Sequence, residues 1–296
     1  MEASIGTPRK SSPATKWLIG CGLGCGVVII IIIILATGGY FFVKNLVEGF
    51  EETEATMETL IERYGEIRDF CPDPDGAIKS ERIEAFLAVR SSLDPVKEKL
   101  QDSIDILSDE KRKDESKEEA SPGVLSKIKT GFGLIPLFSE FINIRNQALL
   151  DNEMGIGEYI FIYVVAYYSW LGKSPADGLQ HGFFQREEDR GRFAWDEEDT
   201  LEDRLDRLLK RLHKLTLPML KNQHTKVTES DGYRVNESWL TALKAEIEAM
   251  EADRFRLPWQ DGLPDALNKS LQPFRERLET TYSQVLNPLE MTMEQR

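Results

Sequence analysis

Few residues in this sequence combine the types and spacing that chemistry demands. The histidines are His181, His213 and His224. His213 and His224 stand eleven positions apart, about three helical turns, and Glu202 and Asp206 fall on the same face. That arrangement would make one edge of a metal site. Pro218 lies between them, and there is no HExxH or tighter pair. The histidines therefore read as solvated helix-surface residues. Asp73, Asp75 and Gly76 imitate part of a calcium loop, but Cys71 occupies the first ligand position and Arg82 the last. No metal and no cofactor is expected.

Nucleophile patterns fare no better. Ser126-x-x-Lys129 and Lys129-Thr130-Gly131 match two motifs of penicillin-recognising enzymes, yet those motifs come from distant parts of that fold and here they overlap. Ser108-x-x-Lys111 matches as well, inside a run of charges, which shows how cheap the pattern is. No GxSxG or Walker sequence occurs. Two carboxylates, Glu140 and Glu158, sit in the most apolar segments. Buried carboxylates can act as acids, but such residues more often have structural partners. No catalytic residue is assigned.

The element that organises the chain is Trp17 to Val43, 27 residues without a charge, with eight consecutive β-branched residues from Val27 to Ile34. As a helix it would extend about 40 Å, more than the hydrocarbon core of a bilayer. It reads as an uncleaved membrane span. A signal peptide has a shorter apolar core and small residues at its cut site, whereas this stretch leads into Tyr40, Phe41 and Phe42. A lipobox-like Leu18-Ile19-Gly20-Cys21 opens the apolar stretch instead of closing it, which argues against acylation. Gly20, Gly22, Gly24 and Gly26 form two GxxxG pairs, the pattern that lets a second membrane helix approach closely. Arg9, Lys10 and Lys16 precede the span, which favours a cytoplasmic N-terminus and a domain outside the cytoplasm. No organelle or eukaryotic sorting signal is present, so the expected home is a bacterial inner membrane.

The chain carries a net charge of −14, and residues 1–44 hold Arg9, Lys10, Lys16 and Lys44 against Glu2, leaving −17 on the remainder. So acidic a domain is not built to neutralise nucleic-acid phosphate or to lie on anionic lipid. Cys21 and Cys25 are in the span and Cys71 is alone outside it, so packing and not a disulfide must hold the domain.

Helical periodicity runs through the rest. Residues 44–70 place Phe50, Met57 and Tyr64 seven apart, either as a self-associating stalk or as a helix packed on its own domain. Cys71 to Gly76 is a turn. Ser80 is the expected cap of the next helix, which carries Ile83, Phe86, Leu87 and Val89, and Asp94-Pro95 starts another. Residues 108–119 are almost all charged and read as a linker. From Tyr159 to Gly172 run 14 uncharged residues, too few for a second span and right for a helix buried on all sides. Its four tyrosines and Trp170 need hydrogen-bond partners or a pocket. Leu201, Leu205, Leu208, Leu212, Leu215 and Met219 form a heptad that Pro218 should kink or end. Helices are also expected near Asn236 and Pro264, the last running on through Tyr282 and Val285 with an interruption at Pro273.

The expected fold is all-α: a single N-terminal transmembrane helix followed by a helical-bundle extracytoplasmic domain. Its parts are a disordered cytoplasmic tail (1–16), the span (17–43), membrane-proximal stalk and hairpin helices (44–107), a charged linker (108–123) and a helical core domain (124–296) around an apolar central helix (156–172). The expected function is non-catalytic: an envelope interaction or scaffold protein with a protein partner or a second copy of itself. The alternatives are a small-molecule or lipid-binding domain and a carboxylate-dependent enzyme. For a pocket or partner surface the candidates are Glu158, Tyr159, Tyr163, Tyr167, Phe183, Phe184 and Trp195.

Overall fold

The central apolar run forms a helix, α5 (Ile156–Tyr163), that continues without a break as a π-helix over Val164–Trp170. Every residue from Tyr159 to Tyr168 is buried. This computed structural model describes residues 53–114, 124–178, 201–229 and 237–291. The expected tail and span, the second half of the linker and the aromatic segment with Phe183, Phe184 and Trp195 lie outside the described residues. Among those described, all regular structure is helical and no helix is long and apolar enough to cross a membrane.

Around the central helix lie α1 (residues 53–64), α2 (Ser80–Ser92), α3 (Asp94–Asp114), α4 (Val124–Asp151), α6 (Leu201–Glu229), α7 (Glu237–Ala252), α8 (Asp265–Leu271), α9 (Arg275–Thr281) and α10 (Asn287–Met291). One large core joins Leu60 of α1, Ile83 and Phe86 of α2, the central helix, Met219 of α6, Leu243 of α7 and Leu278 of α9. Each such buried side chain stabilises the fold by about 1.5–3 kcal/mol. A smaller core gathers Leu93, Val96 and Leu100 with Phe141, Leu286 and Leu289. Residues on both sides of the expected linker thus share the same cores, and Glu51–Arg296 form one compact unit.

Local chemistry explains where several elements depart from expectation. The helix expected over 44–70 ends at residue 64, and a 3-10 turn follows at Ile67–Asp69. This turn packs so closely on α5 that a Cβ on Gly157 would lie 2.7 Å from the Ile67 carbonyl oxygen. Lys79, not Ser80, is the N-cap of α2, because its carbonyl already accepts from the Arg82 and Ile83 amides. The helix α3 runs to Asp114, into the stretch expected as linker, since its i,i+4 charges support a helix as well as they solvate a loop. α4 is continuous through Gly131, Gly133 and Pro136.

Pro218 does not stop α6, which continues for eleven further residues to Glu229. Met219, Leu220, Gln223 and Val227 are buried beyond it, and that packing outweighs the roughly 3 kcal/mol cost of an internal proline. Leu208, Leu212 and Met219 of the heptad stripe pack within the chain, on the large core, whereas Leu201 is 56% exposed. Pro273 does interrupt the last helical stretch, as a 3-10 turn (Gln272–Phe274) between α8 and α9. The stretch then ends at Thr281: Tyr282 is extended, with ψ 136°, and α10 is a separate short helix.

Candidate functional site

The π-helix determines the site. In α-helical winding Tyr159, Tyr163 and Tyr167 share one face at spacings of four. Bonding from i to i+5 widens the winding and brings residues five apart together. Here it adds Tyr168 to that face: the hydroxyls of Tyr163 and Tyr168 both donate to Asn287 Oδ1, at 3.0 and 2.7 Å. The rings of Tyr163 and Tyr167 meet edge-on at 4.7 Å, and Phe86 of α2 closes the cluster over Tyr159 at 5.2 Å.

Into this aromatic face α2 projects Arg90, whose side chain is wholly buried. Its Nη1 donates to the carboxylate of Glu290 and, at 3.1 Å, to the hydroxyl of Tyr159. Its Nη2 donates to the Thr281 carbonyl at 3.2 Å. The guanidinium also lies 5.3 Å from the ring centre of Tyr163 and 5.8 Å from that of Tyr167, a cation–π geometry. Tyr159 in turn donates to Glu290 Oε1 at 2.6 Å. Arg90 Nε and Glu290 Oε2 are buried with no hydrogen-bond partner among the described residues.

Electrostatics fixes what this centre can do. Burial holds the hydroxyls of Tyr159, Tyr163 and Tyr168 well above the ordinary phenol range, although Arg90 pulls the other way on each. They are hydrogen-bond donors near neutral pH, not bases. Burial works against the Arg90 charge, but Tyr159, Tyr167 and Glu290 more than offset it and keep the guanidinium charged. A charged guanidinium among neutral phenols can recognise a carboxylate.

The C-terminal strap that brings Glu290 is held at many points. Asn287 Nδ2 donates to the carbonyls of Pro175 and Asp177 at 3.0 and 2.8 Å. Tyr282 donates to Asp177 Oδ2 at 2.9 Å. Gly178, with φ +106°, sits so close that a Cβ there would be 2.2 Å from the Gln284 carbonyl oxygen.

A second cluster lies at the other end of α2. Arg82 grips Glu158 with two bonds of 2.7 Å, beside a cleft of about 210 Å³ lined by Phe70, Cys71, Asp73, Lys79 and Phe161 among others. The cleft is smaller than the roughly 300 Å³ at which small-molecule pockets begin. Lys79 pairs with Asp73 at 3.1 Å. Burial raises the Cys71 thiol above its ordinary value, with Lys226 opposing, so the thiol is not activated.

The sequence candidates thus fall in different places. Glu158 faces the cleft, whereas Tyr159, Tyr163 and Tyr167 are buried in the tyrosine centre with polar partners instead of lining an open pocket. Glu140 pairs with Lys99. His213 Nε2 lies 2.7 Å from the Met250 carbonyl oxygen. Among the described residues no three His, Cys, Asp or Glu side chains gather as metal ligands would. Phe183, Phe184, Trp195 and the glycines Gly20, Gly22, Gly24 and Gly26 lie outside the described residues.

Sequence reasoning missed Arg90, Asn287 and Glu290. Arg90 carried a signal, since it stands four after Phe86 and seven after Ile83, on the apolar stripe of its helix. A charge there needs a buried partner. Asn287 and Glu290 lie beyond the apolar stripe that runs from Leu267 to Val285, so no period points to them. Comparison of the chain with models of protein families, with curated proteins and with solved structures finds no match in any of the three.

Proposed function

We propose that this chain is a single-pass protein of a bacterial inner membrane whose acidic all-α domain stands outside the cytoplasm and works through protein contacts, without catalysis. The anchor is the uncharged stretch Trp17–Val43, and the orientation follows from Arg9, Lys10 and Lys16 before it. One observation carries the non-catalytic part. The carboxylates nominated for chemistry are engaged in ion pairs within the chain, Glu158 with Arg82 and Glu140 with Lys99, and the buried tyrosine hydroxyls are engaged with Glu290, Asn287 and Thr281. Gly20, Gly22, Gly24 and Gly26 offer a face for a second copy or another membrane helix.

Reporter fusions after Arg296 test the orientation. A reporter active only in the periplasm is expected to be active, and one active only in the cytoplasm silent; the reverse result overturns the placement. Photo-crosslinking in living cells from exposed positions of the domain then tests its role. Discrete protein adducts are expected. A bound small molecule or lipid released from the gently purified chain, with no adduct, would replace this reading by that of a binding protein.

A further inference from the structure

The residues that close the tyrosine centre give the proposed protein contact a chemistry. The strap enters extended at Tyr282 and continues as α10, gripped along its length by other elements. Leu286 and Leu289 insert against Leu93, Val96, Leu100 and Phe141. The amide of Asn287 is read by Tyr163, Tyr168 and the backbone of the 175–177 turn, and the carboxylate of Glu290 by Arg90 and Tyr159. Two apolar anchors, an amide and a carboxylate within five residues are how a groove reads a short helical peptide.

The form of the grip matters as much as its extent. A buried ion pair is commonly worth no more than apolar side chains of equal volume, and the unpartnered Arg90 Nε and Glu290 Oε2 add to its cost. If permanent closure were the only requirement, an apolar plug would hold at least as well. The existing grip is specific in its polar partners. When the strap lifts, Arg90 is left charged in an aromatic groove that only another carboxylate satisfies.

We infer that the groove of Arg90, Tyr159, Tyr163 and Tyr168 is a peptide-recognition site, closed in cis by Tyr282–Glu290, which accepts in trans an acidic helical peptide of the pattern Leu-Asn-x-Leu-Glu. This inference rests on the protein-contact reading and names the partner's chemistry.

The probe is a fluorescent peptide of residues 282–296, added to the full-length chain in detergent with Asn287→Ala and Glu290→Gln loosening the strap. Saturable binding is expected, and a Glu290→Gln peptide should bind at least about tenfold more weakly. No saturable binding by a chain whose helical melt is intact, or equal binding of the two peptides, overturns the site. If the loosened chain does not fold, hydrogen exchange of the unaltered chain decides. The strap amides of Asn287, Leu289 and Glu290 should exchange ahead of those of Tyr159–Tyr168; exchange of both only on global unfolding overturns the inference. A protein partner crosslinked through a different face, with no peptide binding, sinks this site and leaves the protein-contact reading standing.

Discussion

Two arginines eight residues apart on α2 meet two glutamates in opposite settings. Arg82 and Glu158 form a pair with two 2.7 Å bonds at the rim of a cleft, their side chains 27% and 16% exposed. Arg90 and Glu290 are 0% and 1% exposed, and bond through one carboxylate oxygen inside a cage of tyrosines. The rim pair has better geometry and keeps access to water. The inner pair has poorer geometry and no water to fall back on. Ideal bonds at a wet site are replaceable, whereas imperfect bonds at a dry site cannot be half broken.

Alkali should separate the two regions most sharply. Burial raises Tyr159, Tyr163 and Tyr168 above their unfolded value, so their contribution is complete below pH about 10 and is lost as pH rises beyond it. Each tyrosine kept neutral in the fold costs about 1.4 kcal/mol of stability per pH unit in that range. The last step of tyrosinate absorbance, the one these three of the chain's eight tyrosines contribute, should therefore come no earlier than release of the strap or loss of helix by circular dichroism. A full tyrosinate signal with strap and helix both intact would mean that the cage is open to water.

Glu290→Ala is the next largest effect, since it strands a buried guanidinium, and about 3–5 kcal/mol should disappear from the urea unfolding free energy. Gly178→Ala attacks the same region from its rim, by forcing a side chain at φ +106° into the strap, and should cost about 2–4 kcal/mol by thermal melt. At the outer pair Glu158→Gln should cost only about 1 kcal/mol, read from the same urea curves. The smallest effect belongs to the exposed pair of Arg277 and Glu84. The Arg277 hydrogen bonds hold the Glu84 carboxyl below its ordinary value, so any stability it gives is present above the ordinary carboxylate range and lost as pH falls through the lowered value. The difference between the native chain and Glu84→Gln should accordingly shrink from pH 7 toward pH about 3.

Much of this architecture was legible in the sequence where it is written as period or run. The uncharged stretch Tyr159–Gly172 declared a buried central helix, and its tyrosines declared a need for polar partners. Those partners were not legible, because Tyr159 finds Glu290 across 131 positions and Tyr163 finds Asn287 across 124. No local pattern encodes such a distance. The π-winding was also hidden, since an i,i+5 pair such as Tyr163 and Tyr168 looks like chance beside an i,i+4 stripe. Pro218 misled for a related reason: propensity is local, and the buried residues that carry α6 past it are anchored by α7 and the core. The charged stretch up to Asp114 misled because alternating charges suit an exposed helix and an exposed loop alike.

A double-mutant cycle tests the contrast most directly. Arg90→Met and Glu290→Leu, singly and together, would be compared with Arg82→Met and Glu158→Leu by urea unfolding of the purified chain. The inner singles should each lose about 3 kcal/mol or more, with the inner double recovering most of it, and the outer cycle should show a coupling of about 1 kcal/mol or less. An inner double no more stable than the worse of its singles, or an outer coupling as large as the inner one, would contradict the assignment of the tyrosine centre as the dry, specific site of this domain.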